Sequence, residues 1–223
     1  MKSFDSIYQQ AARRKGGEQA LKNLLPQISE PEKIAALDES RFLAEMSRCL
    51  FQAGFVWRVI NQKWSGFEEV FHGFEPNTIL GLQADEWEEI GNDVRIVRRQ
   101  QNIRAVRANA QFIEDIALEY GSFSQFIADW PTSDLIGLFA ILKKRGSRLG
   151  GNTGPRFLRN IGKDTFVLAP DVVRCLQSCG LEINDTPNSK RDLTRMQEAF
   201  NQWHEQTLLP YTHLSKIAAF SIG

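Results

Sequence analysis

Hydrophobic residues recur at helical spacing along most of this chain. In the run from Arg41 to Trp57 the apolar side chains fall on one face, as in an amphipathic helix. The longest such stretch is 93–120, whose polar side carries Arg95, Arg98, Arg99, Arg104 and Arg107. The one strand-like run, 165–168, is short. The pattern predicts an all-α protein with roughly ten or more helices joined by short loops.

Length and composition favour a single helical domain, residues 1–223, built of two interleaved lobes. The 223 residues are 42% hydrophobic and carry no net formal charge. This balance argues against a protein that coats nucleic acid non-specifically, but it allows a local basic patch. The first residues lack an apolar signal core, and no run approaches the ~18 apolar residues of a membrane span. We therefore expect a cytoplasmic protein with no membrane partner.

The stretch 142–155 has the pattern of two helices joined by a tight glycine turn. Asn152 or Thr153 can cap the second helix, and Pro155 suits its first turn. Because a helix N-terminus presents free N–H groups, this turn can bind a DNA phosphate. The alternative is an ordinary αα-turn with a solvated basic face. We predict a helix–hairpin–helix motif over about 142–162, with DNA contacts from Lys143, Lys144, Arg145, Arg148, Gly151, Thr153, Gly154 and Arg156.

Aromatic residues cluster between residues 46 and 60 around a single amide. These residues can line a flat apolar slot in which one amide recognises a polar group; they are Cys49, Phe51, Gln52, Phe55 and Trp57. Enzymes that act on an extruded base stack it between such side chains and read its polar edge. The alternative is a buried aromatic helix, in which the amide of Gln52 would need hydrogen-bond partners.

Asp171 follows Pro170 at a predicted helix start, one helix downstream of the glycine turn. As an N-cap it would stabilise that helix by ~1 kcal/mol, and this role alone explains a carboxylate there. The same geometry would hold a catalytic carboxylate that stabilises a developing sugar cation or activates water. The two roles are compatible, and both stay open at this point.

Metal and cofactor signals are weak. Cys175 and Cys179 form an i, i+4 pair, but the three histidines lie far apart, and a structural zinc site requires four clustered ligands. Small buried hydrophobes are the better interpretation of these two cysteines. There is no Walker A loop, nucleophile elbow or dinucleotide fingerprint. We therefore expect no metal and no cofactor.

Taken together, these residues resemble the DNA-3-methyladenine glycosylase I family, within the helix–hairpin–helix glycosylase superfamily. The resemblance covers roughly residues 40 to 160. It implies a two-lobed all-α fold that flips a damaged base from duplex DNA and hydrolyses its N-glycosidic bond. The segments that carry it are Phe51-Gln52-Ala53-Gly54-Phe55-Val56-Trp57, Phe67-Glu68-Glu69-Val70-Phe71-His72-Gly73-Phe74-Glu75-Pro76, Ile96-Val97-Arg98-Arg99 and Leu142-Lys143-Lys144-Arg145-Gly146.

The resemblance also assigns individual residues, with departures. Trp57 matches the family's pocket tryptophan and Tyr8 one pocket tyrosine, whereas the glutamate that recognises the methylated adenine falls at Cys49. The family's zinc ligands have no counterparts here. Beyond Gly162 the chain resembles the wider superfamily, whose catalytic aspartate falls near Asp171.

The leading hypothesis is a monofunctional glycosylase that acts as a monomer on double-stranded DNA containing a damaged base, such as the alkylated purine 3-methyladenine. Trp57, Phe51 and Tyr8 would stack the base, and Asp171 would assist the attacking water. We expect no lyase step, because Lys163, the lysine between the hairpin and Asp171, has the pattern of a surface residue. The alternatives are a DNA-binding relative without base excision and a helical interaction protein with no DNA role.

Overall fold

The computed structural model describes residues 3–223, which contain helices and no strand. The prediction of an all-α fold is confirmed. None of the described helices is long and apolar enough to cross a membrane. Two short 3₁₀ helices, His72–Phe74 and Thr132–Asp134, accompany α1 Phe4–Lys15, α2 Glu18–Asn23, α3 Pro31–Ala35, α4 Glu39–Gln52, α5 Trp57–Gln62, α6 Trp64–Val70, α7 Pro76–Gly81, α8 Ala84–Asn92, α9 Gln100–Tyr120, α10 Phe123–Asp129, α11 Leu135–Arg145, α12 Thr153–Asn160, α13 Pro170–Ser178, α14 Lys190–Thr207 and α15 Tyr211–Ile222.

The chain divides into two compact units, each assembled from separated segments. Unit 1 contains residues up to 29, 130–138 and 162–223. Unit 2 contains residues 30–129 and 139–161. The segment 46–60 and the glycine turn both belong to unit 2, whereas Tyr8 and Asp171 belong to unit 1.

Unit 2 is built around α4, which packs on both α9 and α12. The helix is buried along most of its length, from Phe42 to Gln52. Its end carries Phe51, whose ring meets that of Phe67 edge-on at 4.7 Å. Trp64 stacks on Phe67 at 5.5 Å, which extends the aromatic cluster. This cluster anchors the C-terminal half of α4 and leaves the chain just beyond it to emerge at the surface.

The amphipathic stretch predicted as one helix over 93–120 is shorter in the structure. Helix α9 begins at Gln100 and ends at Tyr120, and the next residue, Gly121, is left-handed with φ 91°. Before it, the Asp93 carboxylate accepts a hydrogen bond of 2.8 Å from the backbone N–H of Arg95. Such a local side-chain bond offers the backbone an alternative to helix. The predicted helix start was therefore wrong by seven residues, the difference between positions 93 and 100.

Unit 1 is built around α15, which packs on α1 and α13. Trp203 of α14 is fully buried, with Phe4 at 5.1 Å and Phe200 at 5.3 Å between ring centroids. Ser189 caps α14, because its hydroxyl accepts a hydrogen bond of 3.1 Å from the N–H of Asp192.

The segment 163–168 corrects one expectation. The strand-like run is extended but pairs with no other strand among the described residues, and Phe166 and Val167 are buried in it. Lys163 is only 5% exposed and donates a hydrogen bond of 2.7 Å to the carbonyl of Trp130. The expected surface position of Lys163 was wrong, because a backbone carbonyl from another segment satisfies its ammonium group.

A carboxylate distant in sequence caps helix α15. Pro210 precedes this helix and makes no side-chain cap bond. Instead, the Asp164 carboxylate accepts hydrogen bonds from the N–H groups of Tyr211 at 3.1 Å and Thr212 at 2.8 Å. These are two of the N–H groups that a helix start leaves without an intrahelical partner. Asp164 therefore fixes the central helix of unit 1 to the segment 163–168.

We predict that Asp164→Ala lowers the free energy of unfolding by about 1–2 kcal/mol, the usual cost of losing an N-cap. Thermal unfolding followed by circular dichroism would measure the change. Glu205→Ala, an exposed carboxylate of α14 in the same unit, is the control and should change stability little. Equal stability of Asp164→Ala and wild type would mean that the two bonds contribute nothing to α15.

Candidate nucleic-acid interface and base site

Helices α11 and α12 form the hairpin that the sequence predicts, joined by the turn 146–152. Gly154 allows the close approach: a Cβ there would lie 2.6 Å from the carbonyl oxygen of Leu149 and 3.1 Å from Leu142 Cδ1. Both leucines are buried. Gly154 is thus required for contact between the turn and the two helices. Any larger residue would have to push the turn outward.

Two amides of the turn are used within the turn itself. The N–H of Thr153 donates to the carbonyl of Gly150 at 3.3 Å, and that of Gly154 donates to the carbonyl of Leu149 at 3.1 Å. These two N–H groups are therefore engaged in the structure, while the prediction that Thr153 and Gly154 contact DNA stays a prediction. Across residues 3–223, the N–H groups of Gly150 and Gly151 have no hydrogen-bond acceptor. Gly151 takes the left-handed conformation, with φ 60°.

A buried asparagine of α9 holds the turn in place. Asn109 is fully buried, and its amide oxygen accepts a hydrogen bond of 2.7 Å from the N–H of Ser147. Its amide nitrogen donates in turn to the Ser147 carbonyl at 3.2 Å. One side chain thereby satisfies both polar groups of a turn residue. The next residue, Arg148, is left-handed with φ 61°, a conformation that non-glycine residues adopt infrequently.

Some of the predicted DNA-binding cations already have an ion-pair or hydrogen-bond partner within the protein, and others do not. Arg145 pairs with Glu119 at 2.6 Å, and Arg148 donates to the amide oxygen of Gln101 at 3.3 Å. Lys143 and Lys144 are exposed and have no ion pair within the described part of the chain. These two lysines are therefore the uncompensated charges next to the turn.

We predict that Asn109→Ala loosens the turn and weakens duplex DNA binding by about tenfold or more, since two buried hydrogen bonds worth roughly 1 kcal/mol each are lost. Fluorescence anisotropy with a labelled duplex would measure the affinity. Gln111→Ala changes an exposed amide of the same helix and should bind like wild type. Unchanged affinity of Asn109→Ala would show that the turn geometry does not matter for DNA.

An apolar tip follows α4 at the surface of unit 2. Gly54, with φ 84°, turns the chain out of the helix. The tip consists of Phe55, Val56 and Trp57, which are 37%, 65% and 49% exposed. The guanidinium of Arg99 lies 5.6 Å from the ring centroid of Phe55. These three consecutive exposed side chains form a small apolar patch on the surface of unit 2.

Trp57 is covered on one side by Arg156 of α12, whose guanidinium lies 5.0 Å from the ring centroid. A cation at this distance over an indole is attracted to the face of the ring. Because Trp57 is still half exposed, it keeps ring surface for a further stacking partner. The structure therefore brings together two of the predicted residues, one from the aromatic segment and one from the hairpin.

Phe51 and Gln52 are buried in unit 2, unlike the half-exposed Trp57. Phe51 has no exposed surface and packs in the core of unit 2. A role in stacking a base would require the core to open. Gln52 is 9% exposed and donates a hydrogen bond of 3.0 Å to Asn61. The predicted partner for this buried amide therefore exists, and it comes from α5.

Cys49 lies on α4 in a polar cluster that the sequence did not reveal. Burial and the neighbouring Glu45 carboxylate raise the pKa of the Cys49 thiol to about 12, so the group is a neutral thiol at physiological pH. Glu45, one helical turn earlier, is itself 3% exposed. Asn160 of α12 donates to both, at 3.3 Å to Glu45 and 3.5 Å to the Cys49 sulfur.

Arginines neutralise the buried carboxylate of Glu45. Its Oε1 lies 3.2 Å from Arg41 and 3.6 Å from Arg48. The guanidinium of Arg48 also stacks on Trp64 at 4.1 Å, while its Nε is buried without a hydrogen-bond partner in residues 3–223. We call Glu45, Arg48, Cys49, Arg156 and Asn160 the Cys49 cluster. It joins α4 to α12 inside unit 2.

Tyr8 lies on α1 and lines a cavity of about 590 Å³ within unit 1. Apolar side chains and the polar groups of Lys22 and His213 form its other walls. The imidazole of His213 donates from Nε2 to the carbonyl of Pro26 at 2.9 Å. Tyr8 thus lines a cavity whose walls all belong to unit 1.

Asp171 is the second residue of α13, and the position before the helix belongs to Ala169. The expectation that Asp171 is the N-cap was therefore wrong, because Pro170 occupies the first helical position ahead of it. The carboxylate pairs with Arg174 at 2.8 Å, and its side chain is 38% exposed. Asp171 thus remains partly accessible from solvent at the start of a helix.

The three cysteines are reduced and buried. The described residues contain no group of three or more potential metal-ligating side chains. Cys175 and Cys179 therefore behave as small core residues, as expected from their spacing. The residues that sequence reasoning missed are Glu45, Asn109 and Asn160. Only Glu45 had a usable signal, since it stands four residues before Cys49 on a predicted helix.

Residues 33–137 match the family model described as methyladenine glycosylase. The matched segment includes α4 and the apolar tip and ends before the glycine turn. The DNA-3-methyladenine glycosylase 1 of Escherichia coli (strain K12) is 26% identical over 120 residues, which are 46% of this chain and 64% of that protein. The chain thus spans less than two thirds of the length of this relative.

Two solved structures also resemble the chain. One shows 3-methyladenine recognition by 3-methyladenine DNA glycosylase I from Staphylococcus aureus; it is 21% identical, has a TM-score of 0.47, and the match covers 78% of this chain and 93% of that one. The other is a variant of 3-methyladenine DNA glycosylase I in complex with 3-methyladenine, with 21% identity, a TM-score of 0.47 and coverage of 78% and 94%.

Proposed function

We propose, from the premise that residues 33–137 belong to the methyladenine glycosylase family, that this protein is a DNA glycosylase. It hydrolyses the N-glycosidic bond of a flipped, altered purine, and the names of its relatives make 3-methyladenine the first such base to test. One observation carries the proposal: a single compact unit holds a hairpin with free amides and an exposed aromatic tip.

The hairpin supplies the grip on DNA. The free N–H groups of Gly150 and Gly151 lie beside the start of α12, where the helix dipole favours an anion such as phosphate. Lys143 and Lys144 add uncompensated positive charge at the end of α11. The remaining predicted contacts, Arg145 and Arg148, would reach DNA only by exchanging their present protein partners.

The apolar tip supplies the means of flipping. Proteins that distort duplex DNA insert apolar side chains between base steps, and extruded bases stack on aromatic rings. Val56 and Phe55 have the exposure that insertion requires, and the free face of Trp57 suits a stacked base. Unstacking one base costs a few kcal/mol, which contacts of this kind offset. Tyr8 is proposed as a second stacking residue on the resemblance alone.

Asp171 is the proposed catalytic carboxylate. It would stabilise the positive charge that develops on the sugar and orient the water that attacks C1′. A water nucleophile gives a monofunctional hydrolase with no lyase step, no metal and no cofactor, acting on double-stranded DNA as a monomer. The second candidate is a DNA-binding relative without base excision; the neutral thiol at Cys49 favours it, because the resemblance places a recognising glutamate there.

We predict that the purified chain releases an altered purine from duplexes containing 3-methyladenine or hypoxanthine, measured by chromatography of the free bases. Asp171→Asn should reduce release by roughly 10²-fold or more, the usual contribution of a general base. Glu182→Gln, a highly exposed carboxylate in the same unit, should retain full activity. Duplex binding without release of any base would favour the second candidate.

We predict that Lys143→Ala and Lys144→Ala weaken duplex binding about equally for any sequence. Each variant should reduce the slope of log K against log salt concentration by about one, because each removes one phosphate contact. Anisotropy titrations between low and moderate salt would measure the slopes. Lys33→Ala, an exposed lysine of α3, serves as the control. Slopes identical to wild type in both hairpin variants would remove the hairpin from the DNA interface.

A further inference from the structure

The Cys49 cluster contains more positive than negative charge on the side of α4 that faces α12. Arg48 and Arg156 belong to it, and Arg41 reaches the same carboxylate from the preceding turn. The single acid, Glu45, already contacts two of these arginines and the amide of Asn160. Its negative charge is therefore matched, and a cation that entered this cluster would find no unpaired acid.

The same cluster is rich in hydrogen-bond donors. Arg156 and Asn160 are exposed residues four positions apart on α12, so both project from one face of the helix. The buried Nε of Arg48 makes no hydrogen bond among the described residues, although it lies 3.6 Å from the Glu45 carboxylate. The Cys49 thiol is neutral and, as a weak donor and acceptor, adds no negative charge. Arg156 further connects this donor set to the half-exposed ring of Trp57.

We infer that the base site beside Trp57 and Arg156 favours an altered purine that is neutral in DNA and carries a hydrogen-bond acceptor on its edge, such as hypoxanthine, over a cationic N-alkylated purine. The inference rests on the proposed glycosylase function and narrows its substrate class. The guanidinium donors of Arg156 match a carbonyl oxygen or ring nitrogen, whereas Arg156 would repel a cationic base.

The way in which the purine leaves the sugar supports the same preference for a neutral base. When the bond between C1′ and the purine N9 breaks, the electron pair goes to the base, and the hydroxyl of water bonds to C1′. A cationic purine then leaves as a neutral molecule and needs little help. A neutral purine leaves with a negative charge until it takes up a proton from solvent. Nearby guanidinium groups stabilise that charge where it develops.

The test uses duplexes in which a 2′-fluoro sugar blocks hydrolysis, so that binding is measured separately from release. One duplex carries hypoxanthine, one the cationic 7-methylguanine, and one is undamaged. We expect wild type to bind the hypoxanthine duplex about tenfold more tightly than the 7-methylguanine duplex, a ratio typical of one hydrogen bond to a charged group. Anisotropy competition gives the three affinities.

Arg156→Gln should reduce this preference several-fold, since Arg156 is exposed and its replacement need not disturb the core. Arg104→Gln, an exposed arginine of α9, is the charge-matched control and should retain the preference. Preferential binding of 7-methylguanine would overturn the inference. An equal loss of affinity by Arg156→Gln on all three duplexes would also overturn it, because Arg156 would then be a phosphate contact.

Release from hydrolysable versions of the same duplexes separates this inference from the proposed function. A larger enhancement of release over the uncatalysed rate for the cationic base than for hypoxanthine would overturn the inference and leave the glycosylase proposal standing. A preference for hypoxanthine in binding, with no base released from any duplex, would support the inference as recognition and overturn the glycosylase proposal.

Discussion

Two buried asparagines of α9 hold the two working parts of unit 2 at a set distance. Asn102 donates to the carbonyl of Leu50 at 3.2 Å, close to the end of α4 and its apolar tip. Asn109 binds both backbone groups of Ser147 in the glycine turn. Seven helical residues separate the two asparagines, which corresponds to about 10 Å along the axis. Since both side chains have no exposed surface, α9 acts as a rigid spacer between the tip and the hairpin.

The sequence predicted the important segments more accurately than the role of each residue within them. The helical period, the glycines and the cations were sufficient to place the hairpin and the segment that contains the tip. Which amides of the turn are free could not be predicted, because hydrogen bonds inside a tight turn depend on backbone angles that residue types do not specify. The same limit explains Asp171, which a preceding proline moved from the capping position into the helix.

Contacts between distant segments could not be predicted from the sequence, for a different reason. Asp164 caps α15 across 47 and 48 positions, and Asn160 reaches Glu45 across 115. No local pattern distinguishes a polar residue that will be buried with a partner from one that stays in water. Lys163 illustrates this, because its neighbours in sequence have no feature that indicates the carbonyl of Trp130.

The charge distribution explains how a chain with no net charge can still select DNA. Some cations are neutralised locally, as Arg145 is by Glu119 and Arg95 by Asp93, and a chain with no net charge has weak long-range attraction to DNA. Among the described residues, Lys143 and Lys144 make no ion pair next to the turn, and Arg156 lies beside Trp57. Affinity must then come from close contacts that form only when a base leaves the stack. Such an arrangement disfavours binding to intact duplex. It favours binding to altered bases, because they unstack more easily.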